Sequence, residues 1–153
     1  MALSQQKSRE ILFQILFSHD FSDVDDEEIC EFIMQQFYVT RRAVRDLLAE
    51  EKKIWQHLAE IDARIARYSQ SYEPHRIPKV ELNVLRLAIY EMLYLPSLPP
   101  KVSIAEAIRL TRKYSTAESS SFINALLDAM YKAELKDTTV VGQDELSLSV
   151  HNT

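Results

Sequence analysis

The chain has 153 residues, of which 46% are apolar and 27% charged, with a formal net charge of −5, a size that supports one domain with a substantial buried core. It contains a single glycine, Gly142, where average usage of about 7% would give roughly ten. Phosphate loops, dinucleotide fingerprints and tight hairpin turns depend on glycine for positive φ or close backbone approach, so those enzyme classes and most all-β folds are excluded. The one cysteine, Cys30, cannot form an intramolecular disulfide, and no charged apolar leader opens the chain, so a cytoplasmic protein is expected. The longest apolar stretch, Val80 to Leu95, is interrupted by Glu81, Asn83, Arg86 and Glu91 and falls short of the ~18 to 20 residues that span a bilayer.

In chain order, Ile11, Leu12, Ile15 and Leu16 form one apolar stripe, widened by Phe13 and Phe17, and predict a helix from Ser4 to His19. Ile29, Phe32, Ile33 and Phe37 continue helical spacing after an acidic break, and Val44, Leu47 and Leu48 predict a short third helix near Arg41 to Ala49. The clearest period is Ile54, Leu58, Ile61, Ile65, Tyr68, read as a single bundle helix. Pro74 and Pro78 interrupt it, and Lys79 to Tyr94 follows as a central helix, apolar on nearly every side. Pro96, Pro99 and Pro100 make an extended connector, after which Ser103-Ile104-Ala105-Glu106 fits a capping box that starts a helix running to Tyr114. Ser115-Thr116-Ala117-Glu118 repeats that signal ahead of Phe122, Ile123, Leu126, Leu127 and Met130. The expected fold is all-α, about seven helices in two packed subdomains: a three-helix part over about 4–49 and a second part over about 51–136. Residues 137–153 lose the core pattern and are expected to form a flexible tail.

Charge is unevenly distributed. Seven acids and no base lie between Asp20 and Glu31, and Asp137, Asp144 and Glu145 add three more; with these ten set aside, 13 acids face 18 bases. A local basic surface is therefore compatible with an acidic chain.

A reactive centre requires suitable groups to converge. His19, His57, His75 and His151 lie in separate segments without a second ligand at i+3 or i+4 and read as ordinary surface histidines; no metal or cofactor is expected. Cys30 is flanked by acids, which raise a thiol pKa, and reads as a half-buried helix position. Ser119-Ser120-Ser121 lacks the glycine-flanked elbow of a nucleophile and reads as a helix start. Glu81, Glu91 and Glu106 sit in apolar surroundings where paired acids could move protons. A structural ion pair of Arg86 with Glu106 or Glu91 accounts better for them, and no catalytic residue is expected.

The ordered blocks VELNVLRLAIYEM, a proline-rich connector, KVSIAEAIRL and SSSFINALLDAM, together with the opening SREILFQILFSHDFS, resemble the transcription antitermination factor NusB family over about Ser8 to Glu134. The resemblance implies a non-enzymatic protein that binds boxA-type single-stranded RNA together with the small-subunit ribosomal protein that doubles as NusE. The pair joins the RNA polymerase antitermination complex and suppresses termination in ribosomal RNA operons. It also implies RNA contacts at Lys7, Arg9, Tyr68, Glu118, Ser119 and Phe122, and NusE contacts at Phe17, Phe21 and Glu81. The family often opens with a denser arginine cluster; its reduction here to Lys7 and Arg9 predicts weaker RNA binding and more reliance on the partner. Ser115 and Ala125 stand where glycine is common, and Ala105 where asparagine is common. The competing function is a protein-only interaction module that sequesters the ribosomal partner without sequence-specific RNA binding. An accessory domain of an RNA methyltransferase is disfavoured, because no methyl-donor loop or catalytic cysteine motif follows residue 134.

Overall fold

The structure is a computed structural model that describes residues 3–70 and 74–136; Gly142, His151 and the expected tail lie outside the described residues. Seven α-helices follow in order: α1 (Gln5–Phe21), α2 (Asp26–Phe37), α3 (Arg41–Gln56), α4 (Leu58–Tyr68), α5 (Lys79–Tyr94), α6 (Pro100–Tyr114) and α7 (Ala117–Met130). A 3₁₀ turn at Pro74–Arg76 precedes α5, and α7 relaxes into a π-helical stretch, Tyr131–Leu135. No strand occurs among the described residues.

Helix starts are fixed by side chains that accept the otherwise unpaired first-turn amides. Ser4 accepts from the Lys7 amide, Asp25 from Glu28 and Thr40 from Ala43, at 2.8–3.1 Å. Two expected boundaries are corrected. The helix expected at Ser103 begins three residues earlier, because Pro100 at the first helical position has its φ preset and gives up an amide that would have no partner. Ser103 is therefore interior and buried, and its hydroxyl donates to Glu91 Oε1 at 2.7 Å instead of capping. The cap of α7 is Thr116, which accepts from the Ser119 amide at 3.0 Å, while Ser115 turns away to donate to Glu81.

The stripe from Ile54 to Tyr68 is carried by two helices, not one. α3 runs on to Gln56, seven residues past its expected end, and the chain turns at His57 before α4. The imidazole of His57 stacks on Tyr94 with ring centroids 3.9 Å apart, filling the corner.

Two clusters of buried side chains result. Ile11 and Ile15 of α1 pack with Ile29, Cys30 and Ile33 of α2 and Val44 and Leu48 of α3. Leu12, Phe13 and Leu16 of the same helix pack with Ile54, Ile61, Ile65 and the core faces of α5, α6 and α7. Cys30 is fully buried rather than half-buried.

The central position of α5 requires each of its polar residues to find a partner, since an unpaired buried polar group costs several kcal/mol. Its polar side chains also record how the helices run. Glu91 near its end meets Arg9 near the start of α1 and Ser103 near the start of α6. Glu81 near its start meets Ser115, just past the end of α6, and Asn83 donates to Asp20, near the end of α1, at 3.0 Å. α1 and α6 are thus antiparallel to α5. Arg86 does not pair with Glu91 or Glu106 as expected. It makes a bidentate contact with Asp62 at 3.0 Å and 3.0 Å, lies 3.4 Å from Asp20, and covers the Trp55 ring at 5.5 Å. Glu106 serves Arg109 and Gln6 instead.

Candidate nucleic-acid and partner interface

The residues expected to contact RNA fall in three places. Glu118, Ser119 and Phe122, on the first turns of α7, line one concavity with Arg76, Ile77, Pro78 and Glu81. Phe122, Ile77 and Pro78 form its apolar part, and the amide end of α7, favourable to anions, lies at its rim. Ser119 is held from two sides by Thr116: its amide donates to Thr116 Oγ1 at 3.0 Å, and its own Oγ accepts from the Thr116 hydroxyl at 3.0 Å.

Arg76 was not anticipated. It sits on the short turn between Pro74 and Pro78, exposed, and adds a cation to the same concavity. A basic residue fixed between two prolines at the entrance of a central helix was the available signal.

Tyr68 is elsewhere. Its hydroxyl donates to Glu134 Oε2 at 2.6 Å, where Arg64 also reaches the carboxylate at 3.3 Å. Burial and the Glu134 charge push the phenol above its ordinary pKa. Glu134 follows Phe122 by twelve residues on the same helical run, which at 1.5 Å per residue separates the two positions by roughly 18 Å.

Lys7 and Arg9 lie at the opposite end of α5 from the concavity. Lys7 is partly exposed. Arg9 is 7% exposed and its Nε donates to both oxygens of Glu91, at 2.9 Å and 3.2 Å. The Arg9 guanidinium therefore neutralises a buried carboxylate within the protein. Its spacing to Leu12, Phe13 and Leu16 already placed it on the apolar stripe.

The three expected partner positions lie along one connected run of side chains. Phe21 is 68% exposed and stacks on Phe17, with centroids 5.7 Å apart and planes 15° apart. Phe17 continues to Phe13 and Phe13 to Tyr114. The next residue, Ser115, donates to the buried Glu81, which lines the α7 concavity. The aromatic run and the concavity thus share one end of the bundle.

His19 is not an ordinary surface histidine. Its Nδ1 lies 2.5 Å from the buried Glu51 and its Nε2 3.3 Å from Asp26, while Glu51 also accepts from Trp55 at 2.8 Å. These contacts join α1, α2 and α3. No group of three or more metal-type ligands is found among the described residues, and none of the described helices is long and apolar enough to cross a membrane.

Known proteins resemble this one along most of its length. The NusB family model matches residues 6–132. The transcription antitermination protein NusB of Chloroherpeton thalassium is 34% identical over 142 residues, covering 92% of this chain and 67% of that protein. That of Oleidesulfovibrio alaskensis is 36% identical over 140 residues, covering 85% and 88%. Among solved structures, T. maritima NusB superposes with a TM-score of 0.73 at 35% identity, covering 86% of this chain and 93% of that one. A crystal structure of the antitermination factors NusB and NusE in complex with dsRNA superposes with a TM-score of 0.71 at 25% identity, covering 84% and 96%. With the helix order, the buried α5 and the sequence blocks all in agreement, the chain belongs to the NusB family.

Proposed function

We propose that this protein is a transcription antitermination factor acting in the cytoplasm as a non-enzymatic adaptor. It holds boxA-type single-stranded RNA and the ribosomal protein NusE side by side, and delivers both to the RNA polymerase antitermination complex. The observation that supports this reading is the concavity at the start of α7. It combines an aromatic edge at Phe122, a cation at Arg76, a carboxylate at Glu118 and a helix amide end, the set that holds a splayed nucleotide through stacking, phosphate contact and base-edge hydrogen bonds. Lys7 and Tyr68 extend the contacts along the bundle, so the strand crosses the protein rather than entering one pocket. Phe17, Phe21 and Glu81 contact NusE at the concavity's end. The related complex contains dsRNA, and the test therefore compares both forms.

Fluorescence anisotropy of labelled boxA RNA at fixed salt, with and without NusE, tests this. Weak binding by the chain alone, clear strengthening with NusE, and loss on Phe122→Ala are expected. Binding of boxA by the mixture no tighter than of a scrambled strand or a duplex of equal length overturns single-strand recognition. The protein-only reading gains support from the burial of Arg9, which leaves the partly exposed Lys7 as the cation of the α1 start that reaches solvent. Its sign is tight NusE binding by a chain whose boxA affinity is indifferent to Lys7→Gln.

A further inference from the structure

In an acidic protein, phosphate is held by those cations that internal carboxylates leave unneutralised. Most arginines here are committed. Arg9, Arg41, Arg64, Arg67, Arg86 and Arg109 each lie within ion-pair distance of an acid. Arg42 and Arg45 make no such contact among the described residues, and both project from the exposed side of α3. Arg42 also lines a groove of about 320 Å³ with Leu3, Ser8, Thr40 and Asp46, between the starts of α1 and α3. Ser8, the residue that follows Lys7 in α1, is part of its wall.

A second, independent observation comes from the turn between α2 and α3, whose Thr40 lines the groove. Tyr38, at the end of α2 and two residues before the Thr40 cap, is 91% exposed and adopts φ 55° and ψ 51°. A bulky side chain in the left-handed region is strained, and glycine or asparagine normally ends a helix this way. A tyrosine kept here, with its ring in solvent, is a cost that packing does not repay.

We propose that Tyr38, Arg42 and Arg45 form a further single-stranded RNA contact surface that prolongs the strand's path from Lys7 across the groove onto α3. This rests on the RNA-binding reading above and assigns that strand an additional stretch. Arg42 and Arg45 are one helical turn apart and hold successive phosphates, and the Tyr38 ring stacks an unpaired base. The path ends at Arg45, because the next concavity along α3 mixes Arg45 and Lys52 with Asp26 and Glu27, which repel phosphate. Asp46 on the groove wall offsets part of the attraction, so the contribution is that of about two phosphates. RNA is favoured over an acidic peptide because an aromatic without a polar receptor beside it serves a base better than a carboxylate.

The test is anisotropy of boxA RNA extended at both ends by unstructured nucleotides, titrated against the full chain with NusE over a salt series. For Arg42→Gln/Arg45→Gln, the slope of log K against log salt falls by about 1.4, at about 0.7 per phosphate for a single strand. A charge-matched control, Lys101→Gln/Arg112→Gln, leaves it unchanged. Tyr38→Gly weakens the extended RNA by about fivefold or more while raising the melting temperature, opposite signs that a structural role for the ring does not produce. Equal slopes for the double variant and the control overturn the surface, as does a double variant that loses polyglutamate binding but keeps RNA binding. If the wild-type chain binds no boxA RNA with or without NusE, the proposed function and this surface fail together; wild-type binding with an unchanged double variant removes this surface alone.

Discussion

Arg9 and Glu91, 82 positions apart, form a buried ion pair with the Arg9 Nε 2.9 Å from Glu91 Oε2 and the Ser103 hydroxyl on the other oxygen. Three helices, α1, α5 and α6, are tied at this one carboxylate. Removing one partner leaves the other charge buried and uncompensated, which costs about 3–5 kcal/mol, whereas replacing both with apolar residues of similar volume is close to neutral. Arg9→Ala is therefore expected to lower unfolding free energy by about 3 kcal/mol or more, and Arg9→Met/Glu91→Leu to recover most of it. Urea unfolding followed by circular dichroism measures both. A loss under 1 kcal/mol for the single variant contradicts the pairing.

Phe21 presents most of its ring to solvent and touches the rest of the protein chiefly through Phe17. Phe21→Ala should leave stability within about 0.5 kcal/mol of the parent and weaken NusE about tenfold or more, as expected for an aromatic anchor. Calorimetric titration of NusE reads the second effect. An unchanged dissociation constant removes Phe21 from the interface.

Tyr38→Gly relieves a left-handed residue that bears a Cβ. The gain should be about 1 kcal/mol, seen as a higher midpoint in chemical denaturation, with Tyr38→Asn intermediate. A lower midpoint for the glycine variant means that the ring packs in solution.

Glu10 joins α1 to α6 through the Tyr114 hydroxyl at 2.6 Å and through Lys113. Burial by itself would raise its pKa, but hydrogen bonds from Lys113 and Tyr114 and the charges of Lys113 and Arg109 outweigh burial and hold it below 4.5. A carboxylate depressed in the folded state contributes stability that is complete above its unfolded value and is lost as pH falls through the folded one. Glu10→Gln should therefore be less stable than the parent at neutral pH, with the gap closing below 4.5. Thermal melts from neutral pH downwards measure that gap. A gap independent of pH contradicts the ionised contact.

The central helix was legible because residues 79–94 are apolar on all sides, a pattern that only a surrounded helix satisfies. The break at His57 was not, since the spacing of Ile54, Leu58, Ile61 and Ile65 continues across the turn and apolar periodicity does not register a change of direction. Arg86 announced that it needed an acid, but its acids lie 24 and 66 positions away, on α4 and α1, and helical spacing says nothing about partners so distant. The capping reading of Ser103 failed for a local reason: a proline-started helix outranked a serine that is needed elsewhere. At the candidate site, residue identities came from family resemblance. Their dispersal over both ends of the bundle, and the addition of Arg76, became visible only with the helices in place.

The two faces of α1 serve different clusters, Ile11 and Ile15 one and Leu12, Phe13 and Leu16 the other. Neither half of the molecule can shed this helix and keep its interior dry. Heat should consequently melt the protein in a single calorimetric peak, with amide protons of α1 among the last to exchange.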